Sequence, residues 1–298
     1  MKILLFGKNG QIGRELQRTL LPLGALNALG RDDVNLENLN SLQDALHRHA
    51  PDIIVNAAGY TAVDAAESDE ASAHRINAEA VGVMAQYASK NAALLVHYST
   101  DYVFDGEKIG AYVEGDAVNP QNAYGRSKRA GEVAIQQCGC NALIFRTSWV
   151  FSAQGRNFIK TILRHARERR SIDVVADQHG APTSAELIAD VTMLAIFGYQ
   201  NRRITGGVFH LAAAGETSWY GLACYVIEES LARGVKLALR PPEIHPTSSV
   251  ALRLPAKRPA NSRMDTSALS NALGLHLPEW RIHVDRVIDQ LSQNEAIV

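Results

Sequence analysis

Apolar positions in the first half of the chain follow two alternating rhythms. Short unbroken runs at 2–6, 25–29, 52–58, 93–98 and 142–148 have the length and continuity of strands covered on both faces. Between them, apolar residues recur at helical spacing over 11–21, 39–49, 70–91 and 124–137, with Ile12, Leu16 and Leu20 on one face and Pro22 ending the first helix. This alternation predicts an α/β fold with a doubly wound parallel sheet, a Rossmann arrangement. Beyond residue 151 the order loosens. Helices are expected at 155–169, 184–198, 217–233 and 280–292, and strands at 172–176 and 207–212. The proline-rich stretch 241–259 has no periodicity and reads as a loop closing over a ligand. Residues 1–150, with a return segment at about 182–213, are expected to form the dinucleotide-binding domain. The remainder, about 151–181 and 214–298, is expected to form a smaller, interleaved C-terminal substrate domain.

Composition narrows the function. The 298 residues are 46% hydrophobic and 20% charged, enough apolar material for a large core. Thirty Lys plus Arg against 31 Asp plus Glu give a net charge of -1, which argues against nucleic acid as partner. Three cysteines make no disulfide framework, and Cys138 and Cys140 are too close for an ordinary zinc half-site. No apolar run reaches the roughly 18 residues of a membrane span. A cytoplasmic protein without a membrane partner is expected.

Two motifs carry chemistry. Gly7-Lys8-Asn9-Gly10-Gln11-Ile12-Gly13 lies directly between the first strand and the first helix. Glycines there permit a tight turn and bring backbone amides to a pyrophosphate, which the helix N-terminus also attracts. With 22 glycines this spacing arises by chance in roughly one chain in eight, so its position after a strand is the stronger signal. At the end of the second strand, where an NAD-selective site presents an acid, this chain has Gly30 and Arg31, with Lys8 in the glycine loop. Two cations that could face a 2′-phosphate favour NADPH, with NADH the alternative. The second motif is Tyr124-Gly125-Arg126-Ser127-Lys128, a phenol and an ammonium on one helix face. A nearby ammonium lowers a tyrosine pKa towards a working range. Ser99 or Thr100, at the carboxyl end of the fourth strand, could donate to a substrate carbonyl. Together these residues make a hydride-transfer constellation.

With these motifs in this order the chain resembles the extended short-chain dehydrogenase/reductases, and within them the dTDP-4-dehydrorhamnose reductase family. The resemblance runs nearly end to end and is carried by 5–13, 55–64, 98–104, 124–128, 145–150, 177–183 and 258–262. It implies reduction of the C4 ketone of dTDP-4-dehydro-6-deoxy-L-mannose, a dTDP-sugar, by NAD(P)H. It also implies roles for individual residues. Thr100 would bind the C4 carbonyl, Tyr124 would donate the proton, and Lys128 would hold the nicotinamide ribose and tune Tyr124. Gly7, Gly10, Gln11, Ile12 and Gly13 would meet the pyrophosphate, Arg31 the adenosine end, and Gly59, Tyr60, Thr61 and Tyr98 the rest of the cofactor. Asp101, Tyr102 and Trp149 would face substrate, with Arg258 a candidate for its diphosphate. Asn35 stands where relatives often carry aspartate near the adenine.

The resemblance further implies a homodimer, which some relatives build around Mg2+. Glu15 and Glu186 match two of the ligand positions, but Gln290 stands at the third beside Asp289, and a neutral amide is a poorer ligand than a carboxylate. No metal is therefore expected, with Glu15 and Glu186 the weak candidates. His97, His179 and His210 lack metal-ligand spacing, and Trp219 and Trp280 read as packing anchors. Two other functions remain open: reduction of a different nucleotide 4-keto sugar, and a non-catalytic NADP-binding regulatory subunit on the same scaffold.

Overall fold

The computed structural model describes residues 1–295. The five apolar runs form strands β1 (Lys2–Phe6), β2 (Ala25–Leu29), β3 (Ile53–Asn56), β4 (Leu94–Thr100) and β5 (Ala142–Thr147). With Gly207–His210 they build one six-stranded sheet in the order Gly207–His210, β5, β4, β3, β1, β2, every pairing parallel. Alternation explains why the runs are apolar throughout. Ile3, Leu5, Val55, Val96 and Phe145 enter one core, while Leu4, Phe6, Ile54, Leu95 and Ile144 enter the other. Helix α1 (Gln11–Thr19) with Ala185–Gln200, Trp219–Ala232 and Trp280–Glu295 close the first core; α2 (Leu39–His49) and Ala80–Asn91 close the second.

The chain leaves β1 for β2 on one side and places β3 on the other. The loops after β1 and β3 therefore diverge, and this reversal opens a crevice at the carboxyl ends of the strands.

The helical run 70–91 is interrupted by a π turn, Arg75–Glu79, between Glu70–His74 and Ala80–Asn91. The extra residue turns Asn77 inwards. Its side chain accepts from the Tyr60 amide at 2.9 Å and donates to the Tyr60 carbonyl at 3.0 Å and to Ser127 Oγ at 2.9 Å. The loop after β3 is thereby pinned to the helix Ala123–Cys138.

The second half departs from expectation most at 241–259. The stretch 241–259 is not a featureless loop: Ile244–Thr247 pairs in parallel with Ile172–Val175, and Ser248 caps a short helix, Ser249–Leu252. Burial of Ile244 against the partner strand supplies the order that proline-rich sequence concealed. The helix Ser267–Leu273 and four two-residue strands are too short to show a period in sequence. Among the described residues, no helix is long and apolar enough to cross a membrane.

One buried charge cluster fixes the helix Ala123–Cys138 against the sheet. Glu132, fully buried, accepts from Arg146 of β5 at 2.9 and 2.8 Å, from Ser99 of β4 at 2.5 Å and from Arg129 at 2.8 Å. Arg146 also lies over the Phe104 ring at 5.0 Å. Replacing Glu132 by Gln strands the Arg146 charge away from water. The expected loss is about 3–5 kcal/mol in chemical denaturation, whereas Arg129→Gln, at the partly exposed arm, is expected to cost under about 1 kcal/mol.

Candidate active site

A cleft of about 730 Å³ lies over the crevice and is lined by residues from every loop at the carboxyl edge of β1 to β5. At one end is the glycine loop. Gly7 adopts φ +89°, and a Cβ there would sit 2.7 Å from the Ala57 carbonyl carbon. A Cβ on Gly13 would lie 2.0 Å from the Gly7 oxygen, so Gly13 serves the close packing of α1 on the turn and does not face the cleft. Gly10 precedes α1 and carries no capping side chain, which leaves the first-turn amides open to an anion. Gln11 and Ile12 line the cleft there, and the Gln11 amide group is bonded to Val150, Ser152 and Asn157. This donor set suits a dinucleotide diphosphate.

The adenosine end differs from expectation in one respect. Lys8 does not face the cleft; it is held by Asp33 at 2.6 Å, whose same oxygen accepts from the Gly30 amide at 2.8 Å. The Gly30 amide, and after it Lys8, hold the Asp33 carboxyl below the usual carboxylate range. Arg31 does line the cleft, with its side chain 76% exposed and paired to Glu37 at 3.0 Å. Asn35 lines the cleft beside it.

At the other end, strand β4 and the helix Ala123–Cys138 bring the reactive groups together. Of the two hydroxyl candidates, Ser99 is committed to Glu132, while Thr100 donates to Asp101 Oδ1 at 2.9 Å and accepts from the Tyr102 amide at 3.2 Å. Asn122 caps the helix by accepting from the Gly125 amide at 2.7 Å. A Cβ on Gly125 would lie 2.3 Å from the Tyr102 oxygen, so only glycine lets the helix end approach so closely. Tyr124, in the helix's first turn, packs edge-on against Tyr102. One turn later Lys128, buried, donates to the Tyr98 carbonyl at 2.5 Å and lies 3.4 Å from His97 Nε2.

Burial dominates the protonation of this group. It pushes the Tyr124 phenol up to about 12, against a hydrogen bond with Thr100 and with a further push from Asp101. It pushes Lys128 down to about 8, opposed by Glu132, and Asp101 up to about 6, opposed by Ser262 and Thr100. The expected lowering of Tyr124 by Lys128 is absent from these forces, because the ammonium is turned to the Tyr98 carbonyl and Thr100 supplies the easing contact. His97 is kept neutral by its burial and by Lys128.

Other candidates scatter. Gly59, Tyr60 and Thr61 line the cleft after β3. Tyr98 contributes its carbonyl, since its hydroxyl bonds Thr192 at 2.8 Å inside the core. Trp149 lines the cleft at φ +49° and stacks on Trp219 with ring centres 3.6 Å apart. Trp219 is therefore more than the expected packing anchor, for it shares the cleft wall. Arg258 is not among the cleft-facing residues; it forms a two-bond ion pair with Asp64 at 2.7 and 3.1 Å. Glu15, Glu186 and Gln290 do meet, around a second cleft of about 390 Å³. There Glu186 is already bonded to Arg286 at 3.0 Å and Gln290 at 3.1 Å, and no group of three acidic, His or Cys residues able to hold a metal exists among the described residues. That donor set does not fit a magnesium ion.

The Asp101 shift has a testable consequence for stability. Its folded-state pKa lies above the unfolded value, so its stabilising contribution is complete below about 4 and is lost as pH rises through about 6. Asp101→Asn is accordingly expected to raise stability at pH ~8 by about 1–3 kcal/mol and to give no gain near pH ~4. Urea titrations at the two pH values check this, and a gain independent of pH would contradict the buried, raised carboxyl.

Known proteins share this architecture. The family model described as RmlD substrate binding domain matches residues 1–293. A dTDP-4-dehydrorhamnose reductase from Burkholderia thailandensis is 47% identical, covering 98% of this chain and 100% of its own. The crystal structure of a dTDP-4-dehydrorhamnose reductase from Clostridium acetobutylicum has a TM-score of 0.89 at 32% identity, covering 98% of this chain and 100% of that one. The Bacillus anthracis dTDP-4-dehydrorhamnose reductase, solved in complex with NADP, has a TM-score of 0.87 at 31% identity, covering 97% and 99%. A match of this extent, over a cleft built from a glycine loop and a Tyr-Lys helix, means that the chain belongs to the RmlD substrate-binding family, that of the dTDP-4-dehydrorhamnose reductases.

Proposed function

We propose that the chain reduces the C4 ketone of dTDP-4-dehydro-6-deoxy-L-mannose to dTDP-L-rhamnose in the cytoplasm, with NADPH as the preferred cofactor. The observation that carries this reading is the convergence of Tyr124, Thr100 and Asp101 in the same cleft as the open amides of the glycine loop. Full-length kinship to proteins named for this reaction supports it. In this reading 1–150 with 182–213 forms the dinucleotide-binding domain and 151–181 with 214–298 the substrate domain, with residues of both meeting in the cleft.

Bound NADPH supplies the hydride to C4. The rest of the chemistry belongs to the chain. As charge builds on the carbonyl oxygen, Tyr124 gives it the phenolic proton, completing the alcohol and leaving a phenolate to be reprotonated from solvent. A phenol held high by burial remains protonated at neutral pH, as a donor must. Thr100 has one hydroxyl proton, given to Asp101 in this geometry; turning it to the carbonyl oxygen would add a second donor. Lys128, fixed by the Tyr98 carbonyl, keeps further N–H donors for the nicotinamide ribose. Tyr102 and Trp149 line the substrate side, and Arg31 would take the 2′-phosphate once released from Glu37.

NADPH oxidation followed with dTDP-4-dehydrorhamnose, beside NADH, other dTDP-4-keto sugars and a no-sugar control, tests the activity. Tyr124→Phe is expected to bind NADPH but to lose at least about a hundredfold in turnover; wild-type turnover in that variant would remove Tyr124 as donor. Binding of NADPH without sugar-dependent oxidation would favour a regulatory subunit instead. Arg31→Ala is expected to lower the ratio of NADPH to NADH efficiency by about tenfold, through loss of one charged contact to the 2′-phosphate.

A further inference from the structure

The cations around the cleft are almost all engaged. Lys8 is held by Asp33, Arg31 by Glu37, Arg258 by Asp64, and Lys128 by the Tyr98 carbonyl. Arg156 is the exception. It lines the cleft, is exposed, and has no hydrogen-bond or ion-pair partner among the described residues. A guanidinium facing a ligand cleft without a carboxylate is available to an anion, and its planar fork matches phosphate oxygens.

Its position is built. The loop that carries it is tied to Gln11, the first residue of α1, from three sides. Gln11 donates to the Val150 carbonyl at 3.4 Å and accepts from Ser152 Oγ at 3.2 Å and Asn157 Nδ2 at 2.9 Å. Lys160 fixes the same loop through the Ala153 carbonyl at 3.2 Å. Gly155, at φ +73°, then turns the chain beside Gln11; a Cβ there would lie 3.4 Å from Gln11 Cγ. Arg156 is thus delivered next to the open first-turn amides of α1. Those amides carry only a partial charge, against two full negative charges on a dinucleotide diphosphate.

We infer that Arg156 is the side-chain cation for the cofactor diphosphate, which it meets beside the first-turn amides of α1. This rests on the reductase reading and deepens it, since neither the glycine motif nor the Tyr-Lys pair points to residue 156. The alternative site for such a cation, the diphosphate of the sugar nucleotide, is less favoured because the loop is anchored to Gln11 and not to the wall formed by Tyr102.

Fluorescence titration of the full chain with four probes tests the assignment: NADPH, NADH, 2′,5′-ADP and dTDP. In Arg156→Gln the dissociation constants of NADPH and NADH are expected to rise together, by about tenfold, with a flatter dependence on salt. Arg156→Lys should recover part of the loss. Affinity for 2′,5′-ADP, which keeps the 2′-phosphate and only one of the two bridging phosphates, should fall by less than that for NADPH, and affinity for dTDP should stay as in wild type. Unchanged NADPH and NADH constants would overturn the inference, as would a loss confined to dTDP or to 2′,5′-ADP. A wild-type chain that binds no NADPH would sink the reductase reading itself and this inference with it.

Discussion

The geometry of the site depends on a carboxylate that water does not reach. Glu132 takes hydrogen bonds from Arg146 on β5 and Ser99 on β4, so one side chain ties a helix to two strands. Tyr124, Lys128 and Glu132 follow each other at intervals of four, which puts them on one face of that helix. Wherever the ion pair sets Glu132, it also sets the phenol and the ammonium. An apolar pair of the same volume could hold the helix as firmly, and a buried ion pair is weak as a source of stability. What it supplies is register, since charge and hydrogen-bond direction tolerate no sliding. The small residues agree with this reading. A Cβ on Gly131 would lie 2.2 Å from the Asn77 oxygen, so the helix is let in close on the side where the π turn presents Asn77.

Drawing the helix into the sheet has an electrostatic consequence. Burial opposes charge on every titrating group it covers. Tyr124 and Asp101 move up and Lys128 moves down, towards the neutral form in each case. For reduction this is a suitable bias. A tyrosine that stays protonated can only give its proton, and an alkoxide forming at C4 is a far stronger base than a phenolate. A site working in the oxidative direction would need the reverse, a phenolate held by a nearby ammonium. Here the ammonium is occupied with the Tyr98 carbonyl. The cost falls on stability: at neutral pH the carboxyl of Asp101 is ionised in a place that favours it neutral.

Much of this was legible in the sequence, and what was not has a common cause. The sheet could be read because its strands are buried on both faces and therefore continuously apolar, from Ile3 to Phe6 and from Leu94 to Val96. The glycine loop and the Tyr124/Lys128 pair could be read because local spacing fixes what they can do. Features made by distant contacts could not. Trp219 looked like a packing anchor because its stacking on Trp149 needs a positive φ at Trp149 and a glycine at 180, where a Cβ would lie 2.9 Å from the Trp149 indole. The strand Ile244–Thr247 hid among prolines because its partner lies 72 residues earlier. Lys8 and Arg258 were legible as cations but not as paired ones, because Asp33 and Asp64 reach them only in the fold.

That pairing changes how phosphate recognition must be weighed at the two ends of the cleft. Arg31 is exposed and its pair with Glu37 is of the kind worth about 0–1 kcal/mol, so a 2′-phosphate can displace the carboxylate at little cost. Arg258 is different. It is largely buried, bonded twice to Asp64, and Asp64 also accepts from the Ala256 amide at 3.2 Å. Asn122, the cap of the Tyr124 helix, donates to the Lys257 carbonyl at 2.7 Å. Arg258 therefore ties the loop 256–258 to Asp64 after β3, while Asn122 ties the same loop to the helix that carries Tyr124, and freeing Arg258 for a phosphate would loosen the first of these ties. An arginine so placed fixes the shape of the loop it belongs to and has little free charge to offer a ligand. The charge itself is left to the cations that can let go.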